Sequence, residues 1–193
     1  MKLYRNFYLV IVFIVFLASC TSAEVPPSQS DTTVATPKPK VVTLDKNFKI
    51  AMGQTIYVPV YSHIYHQDQQ KEEKIFNLAA TLSIRNTDLT KPIIITSVRY
   101  YDSNGKLVKQ YLERPIELGA IASTDFVVNK TDTSGGLGAN FIVEWVAQTE
   151  VSQPIVEAVM IGTDFQQGIS FISPGRVIKS QSDRQRSSSV QGS

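Results

Sequence analysis

Between Phe48 and Ile178 the apolar residues recur at every second position in short runs, and Gly, Pro, Asn, Asp or Ser breaks each run before a helical period can form. Alternation of this kind marks strands with one buried face. Thr55 to Tyr65 sets Ile56, Val58, Val60 and Ile64 on one side and Tyr57, Pro59, Tyr61, His63 and Tyr65 on the other. Because Pro59 cannot donate to a ladder, this strand is expected at a sheet edge or with a bulge. Phe76 to Arg85 alternates Leu78, Ala80, Leu82 and Ile84 against Asn77, Thr81, Ser83 and Arg85. Ile93 to Tyr101 is rich in β-branched and aromatic residues, and Asp102, Ser103, Asn104 and Gly105 turn it into Leu107 to Leu112 as a hairpin. Further strands fit Thr124 to Asn129, Asn140 to Gln148, Ile155 to Ile161 and Ile169 to Ile172. The polar run Gln67 to Lys74 suits one exposed helical turn or a long hairpin loop. About seven or eight such strands predict an all-β fold, an antiparallel β-sandwich immunoglobulin-like in general shape, with a closed barrel as the competing architecture. Trp145 is expected in the core or on a sheet face.

The chain has one cysteine, so it cannot form an intrachain disulfide, a Cys-rich zinc site or an iron–sulfur cluster from its own residues. With 19 Lys and Arg against 17 Asp and Glu in 193 residues, it also lacks the clustered basic excess that nucleic acid demands. Lys2 and Arg5 precede an unbroken apolar run from Phe7 to Leu17, which ends in Ala18, Ser19 and Cys20. These are the parts of a secretory signal peptide, too short in its apolar run for a permanent span of ~20 residues. The order Leu17, Ala18, Ser19, Cys20 resembles the lipobox of bacterial lipoproteins. That resemblance implies a diacylglyceryl thioether on Cys20, cleavage just before it, and a protein facing the periplasm or cell exterior. Thr21, where inner-membrane retention uses an aspartate, favours the outer membrane. Removal of the leader would leave 17 basic and 17 acidic residues.

The expected organisation is therefore a signal peptide over 1–19, a lipidated cysteine and flexible linker over 20–47, a β-sandwich over 48–178 and a disordered polar tail over 179–193. The linker is rich in Ser, Thr, Pro and Lys and gives a leash of about 30 Å, too polar to bury a core.

Four groups of residues invite a functional reading. Tyr57, Tyr61, His63 and Tyr65 would form a stripe of amphipathic rings along one strand, suited to stacking on sugars or packing on a partner. His63 and His66, with Asp68, Glu72 or Glu73, could begin a zinc or copper site, but a spacing of three on a strand points the imidazoles to opposite faces, and no metal ligand is assigned. Gly135, Gly136, Leu137 and Gly138 lead into a strand rather than a helix, so they read as a mobile hairpin and not a phosphate loop. Glu144 and Glu157 lie in apolar strands, as paired acids or as outward-facing residues. No serine elbow or cysteine nucleophile accompanies them, and neither an enzyme nor a cofactor is expected.

The stretches GQTIYVPVYSHIY from Gly53, LSIRNTD from Leu82, ITSVRYYDSNGKLV from Ile95, GGLGANFIVEW from Gly135 and EAVMIGTDFQQGISFISPGR from Glu157 together resemble a bacterial domain-of-unknown-function family, the one numbered 3124. The resemblance implies an exported, often lipid-anchored protein and supplies no activity. The function expected is thus a non-enzymatic binding or interaction module for an envelope protein or glycan, attached to the membrane through its lipid. A small-ligand or metal-binding periplasmic module is the alternative, followed by a hydrolase.

Overall fold

The computed structural model describes residues 39–45, 48–67, 73–164 and 167–181. The leader, Cys20, most of the leash and the tail beyond Gln181 lie outside them. The described elements run β1 (Lys40–Val41), β2 (Met52–Pro59), β3 (His63–Gln67), β4 (Glu73–Asn77), β5 (Ala79–Arg85), β6 (Ile93–Tyr101), β7 (Leu107–Gln110), β8 (Ile116–Leu118), β9 (Ser123–Val128), β10 (Asn140–Ala147), β11 (Ile155–Asp164), β12 (Gln167–Pro174) and β13 (Arg176–Ser180). A seven-stranded sheet has the order β1-β8-β6-β10-β2-β13 with β7 on β6, a four-stranded sheet the order β12-β11-β5-β9, and β3-β4 form a two-stranded ribbon. All pairings are antiparallel, as in β2 with β10 and β5 with β11. The sheets are open, so the protein is the antiparallel sandwich that the alternation predicts, and not a barrel.

The inward set is the one legible in the sequence. Ile56 and Val58 of β2, Leu82 and Ile84 of β5, Phe141, Val143 and Trp145 of β10, and Ala158 and Met160 of β11 share one core. Trp145 belongs to it and is buried. In β6 the phase of burial changes: Ile93 and Ile95 face inward before Thr96, and Val98 and Tyr100 after it. A register shift opposite Glu144 and Trp145 absorbs the extra residue, and Thr96 Oγ1 donates to the Glu144 carbonyl at 3.1 Å. A bulge therefore lets one strand keep a single inward face across an irregular sequence.

Several details differ from the sequence expectation. Thr55 to Tyr65 is two strands and not one, because the chain leaves the sheet after Pro59 and re-enters a ladder at His63. Nor is β2 an edge strand. It is paired on both sides, and Pro59 is tolerated because it is the last residue of β2 and pairs only toward β10, the ladder with β13 having stopped at Tyr57. The Gln67 to Lys74 run joins the arms of the β3-β4 hairpin, its tip outside the described residues. β1 lies inside the stretch read as leash, where Lys40 pairs with Glu117, and β13 continues to Ser180, inside the stretch read as tail. The Asp102 turn is as read: Asp102 Oδ1 accepts from the Asn104 and Lys106 amides, and the Gly105 amide donates to the Asp102 carbonyl.

The two large sheets are stitched at Gly175, where the chain passes from β12 in one sheet to β13 in the other. Its amide donates to the Val156 carbonyl at 2.8 Å. A side-chain methyl here would stand 2.7 Å from both Ile56 Cγ2 and the Val156 oxygen, closer than packed atoms approach, so the corner accepts only glycine.

Candidate functional site

The break after Pro59 distributes the four rings of the predicted stripe over three environments. Tyr57 lies on the outward face of β2, since its neighbours Ile56 and Val58 are in the core. Tyr61, in the connection, turns to meet Phe171 of β12 edge-on, with ring centroids 5.7 Å apart, and packs against the core. His63 and Tyr65 stand on the β3-β4 ribbon, also edge-to-face at 5.7 Å, with Tyr65 exposed. The side chain of His66 lies outside the described residues. Among the described residues, no group of three or more His, Cys, Asp or Glu converges as metal ligands would.

Register supplies neighbours for Tyr57 that no sequence spacing reveals. Tyr57 sits opposite Arg176 on one side and Ile142 on the other, Ile142 sits opposite Arg99, and Arg99 opposite Gln110. Directly opposed residues share a face, so the outward side of the seven-stranded sheet carries the row Arg176, Tyr57, Ile142, Arg99, Gln110. Below it runs a second row in which Lys179 opposes Thr55, Thr55 opposes Glu144, and Glu144 opposes Ser97. Arg99 Nη2 donates to Glu144 Oε1 at 2.9 Å. Both side chains are partly open to solvent, and such pairs contribute about 0.2–1 kcal/mol, so this one orients the guanidinium more than it stabilises the fold. The face thus combines a flat ring, a branched apolar side chain and two guanidinium groups.

Glu157 belongs to the other sheet, where its carboxylate lies 3.9 Å from Arg85. The two strand glutamates therefore face outward on different sheets, each beside an arginine, and are not a catalytic pair. Their positions follow from simple alternation around Val143 and Trp145 in β10, and around Val156 and Ala158 in β11.

The glycine loop between β9 and β10 is tied down rather than free. Ser103 Oγ donates to the Gly135 carbonyl at 3.0 Å and accepts from the Gly138 amide at 2.8 Å, and the Ser62 amide and hydroxyl both lie 3.2 Å from the Gly136 carbonyl. Ser62 Oγ also stands 3.0 Å from His63 Nδ1, and Ser62 is buried beneath the loop. Gly135 lies directly over the buried Tyr100 ring. Burial, with Asp132 adding to it, pushes the Tyr100 hydroxyl up to about 12. Tyr111 closes the same flank: its ring packs edge-on against Phe126 at 5.4 Å, its hydroxyl donates to the Val127 carbonyl at 2.9 Å, and burial raises its pKa too, with Asp132 again second.

The site is therefore a set of outward surfaces on an all-β antiparallel sandwich. Residues 53–178 match the family model described as "Protein of unknown function (DUF3124)", and the chain belongs to that family. The matched stretch runs from β2 into β13 and so contains the whole four-stranded sheet and the seven-stranded sheet apart from β1 and the outer ends of β2 and β13. No curated protein matches the chain, and no solved structure matches it.

Proposed function

We propose that this protein is an exported bacterial lipoprotein, held on a membrane by lipid on Cys20, whose sandwich is a non-enzymatic binding module for an envelope protein or glycan. The anchor is carried by one observation: the only cysteine of the chain closes Leu17-Ala18-Ser19-Cys20 directly after a basic start and an apolar run. A thioether-linked diacylglycerol supplies two chains, where one alone, at ~0.8 kcal/mol per buried methylene, would hold only marginally. Cys20→Ser is expected to abolish palmitate labelling and move the protein from the membrane to the soluble fraction. Persistent labelling of that variant would overturn the anchor.

The binding half rests on the outward row around Tyr57. A phenol ring with Arg176 beside it and Arg99 two strands away suits a sugar ring bearing carboxylates, or an acidic loop of a partner: the ring stacks, and the Arg176 fork holds the carboxylate. Tyr65 offers a second exposed ring on the ribbon, whereas Tyr61 is engaged with Phe171. Co-sedimentation with purified peptidoglycan and capture from crosslinked envelopes should both be measured for Tyr57→Ala and Tyr65→Ala. At least one of the two signals should drop severalfold in Tyr57→Ala, with the fold intact by circular dichroism. If Tyr57→Ala binds as wild type in both assays, the row is not the site.

A further inference from the structure

The geometry points to β12 as a pairing edge through which two copies of this chain join antiparallel, merging their four-stranded sheets into one. A sheet edge exposes unpaired amides and carbonyls that will accept another strand unless something blunts it. Among the described strands, the other free edges carry such devices. β1 is two residues long and contains Lys40; β7 has Lys109 and a register shift; β9 has Asp125; β13 has Arg176, Lys179 and a register shift. The β3-β4 ribbon carries His63, His66, Glu73 and Lys74. β12 is eight residues of Gln-Gly-Ile-Ser-Phe-Ile-Ser-Pro with no ionisable side chain, in unbroken register with β11, and its proline comes only at the end.

The missing charge is what selects a second copy as the occupant. Two-fold pairing sets a strand against itself, so a charged residue near the axis would meet its own sign, and β12 has none. The pleat adds a rule: residues opposite one another must face the same side, so even-numbered positions pair with even and odd with odd. That keeps Ser170 and Ile172 outward in both copies and puts Ile169 and Phe171 on the core side. Ile172 also heads an apolar row across the outward face, opposite Val159, which opposes Thr81, which opposes Val127. Ile172 is 59%, Ile161 52% and Val127 46% exposed, so the face lacks a cover in the single chain. Pairing at β12 would make these rows continuous between copies. It is independent of what the Tyr57 face binds.

The test uses the full chain in density-matched detergent, from about 1 to 100 µM. Sedimentation velocity should show a reversible dimer, and hydrogen exchange should show β12 amides whose protection grows with concentration. Ile172→Lys, at an exposed position, should weaken the dimer about tenfold or more by putting a like charge on each copy of an edge that has none, with unchanged circular dichroism. Ile155→Lys, exposed on the outward face of β11, should leave it intact. A wild-type chain still monomeric at the highest concentration, or a dimer indifferent to Ile172→Lys, would overturn the proposal.

Discussion

Gly135→Ala is expected to lower the free energy of unfolding by about 1–3 kcal/mol, the range for overfilling a packed site. The added methyl would collide with the Tyr100 hydroxyl and stand 2.6 Å from Tyr100 Cζ and 2.7 Å from Ala139 Cβ. Tyr100 is fully buried, and its hydroxyl meets no hydrogen-bond partner among the described residues. Tyr100→Phe alone should therefore leave stability unchanged or raise it, because an unpaired buried hydroxyl costs about 1–3 kcal/mol. In the Tyr100→Phe background Gly135→Ala should cost less than in the wild type, since its worst contact is gone while the ring carbon and Ala139 remain. Urea unfolding of the four proteins measures the coupling directly. Strict additivity would mean that the loop does not rest on Tyr100. The hydroxyl also predicts an alkaline limb. With a folded pKa of about 12 against the ordinary phenol value of 10.0, the neutral phenol is favoured by folding, so stability is full below pH 10 and falls as pH rises toward 12. Tyr100→Phe should flatten that part of the curve.

Asp88→Asn is the second large effect, and it acts at the opposite end of the pH scale. Asp88 Oδ1 accepts from the Thr90 amide at 3.0 Å, the Lys91 amide at 2.9 Å and the Thr90 hydroxyl at 3.3 Å, while Oδ2 accepts from the Ser152 amide at 3.0 Å. Asn86 completes the knot: its Nδ2 donates to the carbonyls of Lys91 at 2.8 Å and Gly119 at 2.9 Å, and its Oδ1 accepts from the Asp88 amide at 3.0 Å. The Asp88 carbonyl in turn takes the amide of Ile121, whose φ of 58° is left-handed and strained for a β-branched residue. One carboxylate thus fastens the β5-β6 connection to the chain before β11 and indirectly to the β8-β9 turn.

These donors, the Thr90 amide first and then those of Ser152 and Lys91, hold the Asp88 carboxyl at about 2, below the usual aspartate value of 3.8. A depressed pKa means that the contribution is complete above pH 4 and is lost as pH falls toward 2. An amide offers one oxygen where the carboxylate offers two, and its NH2 would face the Ser152 amide or the Thr90 and Lys91 amides donor to donor. Asp88→Asn should therefore melt well below the wild type at pH 7, and the two melting temperatures should converge near pH 2. A gap of constant size across that window would show that ionisation of Asp88 contributes nothing.

How much of this was legible beforehand depends on range. The inward residues of β2, β5, β10 and β11, the Asp102 turn and the outward direction of Glu144 follow from alternation, which any short window displays. The alternation places Tyr61 on a straight strand because it runs unbroken through Val60, Tyr61 and Ser62, although the backbone there leaves one ladder for another. β1 and β13 escaped notice because they are polar edges with little inward surface, and their strand character comes from the partners they find. The glycine loop looked loose because glycine lacks a side chain, yet the absence of one is what admits the Tyr100 ring beneath it. The knot of Asn86 and Asp88 has no local signature, since its partners at Gly119 and Ser152 lie far along the chain.

The sequence by itself determined which way the side chains of β2, β5, β10 and β11 point, the turn at Asp102, and, through Leu17-Ala18-Ser19-Cys20, the basis for proposing an anchor. These are local properties, set by the two-residue period of the pleat and by motifs of a few residues. Beyond the Asp102 hairpin that joins β6 to β7, tertiary structure alone decided which strands are neighbours. It brought Arg176, Tyr57, Ile142 and Arg99 into one row, and it left β12 as an uncharged edge. Pairing depends on contacts between segments distant in the chain, and those are chosen by closing loops and filling one shared core.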